Sequence, residues 1–164
     1  MCGFKEGKLI GPSFGAEIIL AKTEYTPTET PMEEDYWMEA AEWAEAKGVD
    51  VITSSLGYKI WDEPYVNNSY KYEDYNGRTT LVAIASSRLA HMGVLVCNSI
   101  GNYNQTDPPS IANADADSII AVGAVDYSGK IAIFSSNGPS FDSRIKPDFV
   151  GPGVKVMPLL TRYL

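Results

Sequence analysis

Strand-length apolar runs that alternate with helix-length amphipathic segments restrict this chain to few folds. Residues 49–54 (VDVITS), 94–98 (VLVCN) and 118–125 (SIIAVGAV) are apolar runs bounded by turn-forming residues, as buried strands are. Residues 32–47 place Trp37, Ala40, Ala41, Trp43 and Ala44 near helical spacing, with acidic residues in the first turn and Gly48 as the stop. A second helix is expected over residues 79–92, stopped by Gly93. An earlier run, residues 16–22 (AEIILAK), reads as a further buried strand, and residues 131–134 read as a strand returning from a turn at 126–130. Residues 23–31 and 60–76 are expected to be loops. Helices alternating with apolar strands predict an α/β fold, a three-layer αβα arrangement around a mostly parallel sheet.

At 164 residues the chain is the size of one domain, and it is read as a single unit over residues 1–164. Its 45% hydrophobic and 21% charged content is ordinary for a globular protein. Thirteen basic against 21 acidic residues give a net charge of −8, which disfavours nucleic acid and anionic membranes as partners. Cys2 and Cys97 lack metal or redox spacing, and Cys97 is expected to be a buried free thiol. One histidine and two separated cysteines make no zinc cluster, and no cofactor is expected.

In parallel sheets ligands sit beyond the carboxyl ends of the strands, so the loops that follow them carry the candidate site. Two such loops are rich in small polar residues: Thr53-Ser54-Ser55-Leu56-Gly57 after Val49-Asp50-Val51-Ile52, and Asn98-Ser99-Ile100-Gly101-Asn102 after Val94-Leu95-Val96-Cys97. The amide of Asn102 suits donation to a developing oxyanion, and it equally suits a turn position with positive φ. Spacing alone does not choose between the two.

Five ordered segments carry a resemblance. They are Leu9-Ile10-Gly11-Pro12-Ser13-Phe14-Gly15-Ala16; Gly48 through Gly57; Gly93-Val94-Leu95-Val96 through Gly101-Asn102; Ala121-Val122-Gly123-Ala124-Val125-Asp126; and Phe134-Ser135-Ser136-Asn137-Gly138-Pro139 followed by Lys146-Pro147-Asp148 and Pro152-Gly153. In this order they resemble the subtilases, the subtilisin-like serine peptidases. The resemblance implies that Asn102 is the oxyanion-hole donor, that Ser55, Leu56 and Gly57 pair with the backbone of a polypeptide substrate, and that Ser99, Ile100 and Gly101 line the opposite side of its primary pocket. It also suggests a secreted protein.

The sequence departs from the family pattern. Tyr58 and Ile100 stand where smaller residues are usual, which is expected to narrow the pocket. The triad of serine, histidine and aspartate is missing in its motif contexts. His91 lies at a helix end, and Asp126-Tyr127-Ser128-Gly129 reads as a turn. The resemblance therefore implies a central piece of a peptidase domain, incomplete at both ends, inactive alone and prone to self-association through unpaired sheet edges. The alternative is a degenerate subtilase that binds extended peptides without cleaving them. Residues 113–117 (NADAD) are a candidate for weak calcium binding, or else an acidic surface loop.

Overall fold

A computed structural model of the chain describes residues 2–156. A two-residue hairpin, β1 (Phe4–Lys5) and β2 (Leu9–Ile10), precedes α1 (Met32–Ala46), β3 (Val51–Ser54), α2 (Leu81–His91), β4 (Leu95–Ser99), β5 (Ile120–Val125) and β6 (Phe149–Pro152). The last four strands form one parallel sheet in the order β3-β4-β5-β6.

The ends of α2 have readable causes. Thr80 accepts the Ala83 N–H at 3.2 Å to cap α2, and Gly93 takes φ 94° just beyond its end. In the acidic first turn of α1, Glu33 and Glu34 are buried rather than solvated. Glu33 accepts the Tyr25 N–H at 2.8 Å, fastening the preceding loop to the helix. Glu34 accepts the Tyr70 hydroxyl at 2.6 Å and the Val82 N–H at 3.4 Å, tying α1 to the start of α2. Burial raises the Glu34 carboxyl above its ordinary value.

The main core lies between the helices and one face of the sheet. Trp37 and Ala41 from α1, Val82, Ala83, Ala85 and Leu89 from α2, and Val96 from β4 form one buried cluster, with Ile52 of β3 packed against it. Of these, Val82, Leu89 and Val96 each contribute roughly 1.5–3 kcal/mol by burial. Among the described residues, α1 and α2 both serve this face. On the other face, Val51 and Leu95 are exposed, and Cys97, Ile120 and Val122 are half-buried.

Three sequence expectations are corrected. Residues 16–22 form no strand: Ile18, Ile19 and Leu20 are exposed, because no neighbouring strand satisfies their backbone. The return over 131–134 shrinks to a single bridge between Ile131 and Val125, and β5 is flanked instead by β6, which the residue pattern did not reveal. Cys97 is a free thiol but only half-buried, since it lies on the face opposite the helices.

Candidate functional site

The register of β3 and β4 sets Ser54 beside Asn98, so the loops that follow leave the sheet side by side. Ser55 is exposed there, and Leu56 and Gly57 are half-buried. On the β4 side, Ser99 and Gly101 are half-buried, Ile100 is buried and Asn102 is exposed. The structure thus brings together the two segments that the sequence singled out.

A buried stretch, residues 110–116, braces both loops from below. Asn113 accepts the Tyr58 N–H at 2.7 Å, and its carbonyl takes the Asn98 side-chain amide at 3.0 Å. The Ala112 N–H donates to the Ile100 carbonyl at 2.8 Å. Gly57 needs its lack of a side chain: a Cβ there would lie 2.6 Å from that of Ala112.

Ser136 pins the second loop from the other side. Its N–H donates to the Gly101 carbonyl and its hydroxyl accepts the Tyr103 N–H, both at 3.0 Å. Gln105 extends the brace, donating to the carbonyls of Ala132 and Ile133, each at 3.1 Å. The Phe134–Pro139 motif therefore holds the strand-end loop in place. Lys146 and Asp148 pair at 2.8 Å, and Asp148 accepts the Ala121 N–H at 2.7 Å, so that motif locks β6 onto β5.

Asn102 is relieved of the turn role that its sequence context allowed. The positive φ values in this loop fall on Gly101 (107°) and Asn104 (63°). Among the described residues, no hydrogen bond occupies the exposed Asn102 side chain. Its amide is available to a ligand.

Tyr58 and Ile100 do not line the cleft as expected. Both are 1% exposed. Tyr58 belongs to the main core, donates its hydroxyl to Glu24 at 2.6 Å, and has its phenol pushed up by burial and by that carboxylate. Ile100 packs in a small second core with Tyr75 and Ile111. The gap between the loops is instead spanned by Tyr103, whose hydroxyl makes a long 3.5 Å contact with the Gly57 carbonyl. Burial, with a smaller contribution from Glu29, raises the Tyr103 phenol. Sequence reasoning missed Tyr103 and Ala112; an aromatic residue directly after Asn102 was the available signal.

His91 is exposed in the last turn of α2, with Nδ1 2.7 Å from the Ser87 carbonyl. Asp126 closes a turn, accepting the N–H groups of Ser128 at 2.8 Å and Lys130 at 3.0 Å. Of residues 113–117, the first four are buried and Asp117 alone is exposed, so most of this segment is no acidic surface loop. The Asp115 and Ala116 carbonyls face the Arg144 guanidinium at 2.7 and 3.4 Å, and Asp115 Oδ2 accepts the Gly77 N–H at 2.6 Å. Burial raises the Asp115 carboxyl above its usual range. The expected approach to a serine motif after Val156 lies outside the described residues.

These features define a parallel α/β domain with its small-residue loops gathered at the carboxyl end of the sheet. Residues 3–163 match the model of the subtilase family, and the chain belongs to that family of serine proteases. The subtilisin-like protease PopC of Myxococcus xanthus is 31% identical over 107 residues, 65% of this chain and 21% of PopC. The serine protease AprX of Bacillus subtilis is 25% identical over 118 residues, 68% of this chain and 24% of AprX. The chain thus spans less than a quarter of either relative. The self-cleaved protease domain of PatA shares the fold, with a TM-score of 0.53 at 21% identity over 73% of this chain and 38% of that one.

Proposed function

We propose that this chain supplies the peptide-binding strand and the oxyanion-hole donor of a subtilisin-like serine endopeptidase. The observation that carries the reading is Asn102: an exposed amide with no hydrogen bond among the described residues, spared backbone strain by Gly101, on the loop that follows β4, whose neighbour β3 leads into Ser55-Leu56-Gly57. In such a site a substrate strand adds along Ser55–Gly57, and Asn102 donates to the oxyanion of the tetrahedral intermediate. Ser99 and Gly101 form the facing wall.

Nucleophilic attack needs a serine activated by an oriented histidine. His91, the sole histidine of the sequence, ends α2 just before β4 begins, at the amino end of that strand, whereas the candidate loops follow the carboxyl ends, so it activates no serine at these loops. The chain alone is therefore a peptide binder, and turnover requires a triad from elsewhere. Incubation with a fluorophosphonate probe followed by intact-mass measurement tests this. The expected result is no adduct; a stoichiometric adduct would overturn the reading.

A further inference from the structure

A cavity of about 300 Å³ opens beside the cleft and has no part in the roles assigned above. Lys59, Ser110 and Thr106 supply polar groups to its lining, and Pro108, Pro109 and Tyr75 supply apolar surface. The cavity is tied to the cleft: the Tyr75 hydroxyl donates to the Tyr58 carbonyl at 3.0 Å, and the Lys59 ammonium sits 5.1 Å from the centre of the Tyr103 ring.

Among the described residues, Lys59 is the only charged group that lines it. Ion pairs among the described residues join Arg144 to Asp117 and Asp142, and Lys146 to Asp148; none includes Lys59. This is notable in a chain where 21 acidic residues outnumber 13 basic ones. An ammonium has three donors. One goes to the hydroxyl of buried Ser110, and the aromatic face of Tyr103 attracts the charge from another side. Neither partner is an anion. Glu29 acts on the Tyr103 phenol but makes no ion pair with Lys59; a half-buried cation with no ion-pair partner among the described residues is a poor final state, and an entering carboxylate would complete it through charge-assisted hydrogen bonds. The hydroxyls of Ser110 and Thr106 offer further polar contacts, while the two prolines and Tyr75 suit a short aliphatic stem.

We propose that this cavity is a carboxylate-binding site, with Lys59 as its anchor and Ser110 as the residue that positions the ammonium. Two sources present this chemistry, an acidic side chain of a peptide and a chain-terminal carboxylate. Carboxylate capture here requires no strand pairing at Ser55–Gly57, so it stands or falls separately from the peptidase reading.

The test is a titration of the isotope-labelled chain, followed by NMR, with three small probes: N-acetylglutamate α-amide, its neutral isostere N-acetylglutamine α-amide, and N-acetylalanine. The glutamate probe is expected to give saturable shifts at Lys59 and residues 106–110, and the glutamine probe none. Stronger binding by N-acetylalanine than by the glutamate probe would support the site and assign it to a terminal carboxylate. Lys59→Met should weaken carboxylate binding about tenfold or more, while Lys59→Arg keeps it. Equal responses to glutamate and glutamine, no response to either carboxylate, or unchanged binding in a folded Lys59→Met would overturn the proposal.

Discussion

The two faces of the β3–β6 sheet are built from the same strands and treated oppositely. Val96 is fully buried beneath the helices, whereas its neighbour Leu95, pointing the other way, is 43% exposed. Across the covered face, Ile52, Val96 and Ala121 meet α1 and α2 or lie buried in the sheet, although Val150 on the edge strand β6 is exposed; across the other, Val51, Leu95 and Phe149 remain exposed. Parallel sheets usually bury both faces. The difference teaches that local pattern made the strands, while helix placement decided which half of each strand stabilises the fold described here.

Matched leucines give the largest test of that contrast. Leu89→Ala, on the buried face of α2, should cost about 2–5 kcal/mol by urea unfolding. Leu95→Ala on the open face should cost under about 1 kcal/mol. Equal losses would show that the open face is covered in solution.

A smaller effect concerns charge in the covered interior. Because burial raises its folded-state pKa, Asp115 holds its proton more tightly in the native than in the unfolded chain. Its stabilising share is full below the ordinary value of 3.8 and is lost as pH rises through the raised one. Asp115→Asn should therefore gain on the parent protein as pH rises above about 4, measured by parallel unfolding curves. A gap independent of pH would contradict the burial argument.

The smallest effect is kinetic. In a Cys2→Ser background, native Cys97 should react with a maleimide, because it is half-buried on the open face. Burial raises its thiol, so the rate should lag that of the unfolded chain and climb with pH. Complete protection of the native thiol would again mean that the face is covered.

What was legible in the residues follows from what is local. The spacing of Trp37 and Ala41, the stops at Gly48 and Gly93, and the apolar runs of β3, β4 and β5 gave the helices and three of the four sheet strands. The run over 16–22 misled because apolar content alone does not provide a pairing partner. Strand β6 was hidden because Phe149-Val150-Gly151-Pro152 ends in glycine and proline, which read as punctuation. At the site, Ser55–Gly57 and Ser99–Asn102 were readable from their small residues at strand ends. Tyr103, Ala112 and Ser136 were not, because their roles depend on contacts between residues 11 to 55 apart along the chain. The Lys59 cavity was hidden for the same reason: Ser110 lies 51 residues away.

The account rests on a peptide strand laid along Ser55–Gly57 next to Asn102. The most direct measurement is amide hydrogen exchange of the chain with and without an acetylated, extended hexapeptide. Added protection at Ser55 and Gly57, with a shift of the Asn102 side-chain amide that is absent in Asn102→Ala, is the result predicted. Unchanged exchange at both positions at saturating peptide, or binding mapped to the opposite end of the sheet, would contradict it.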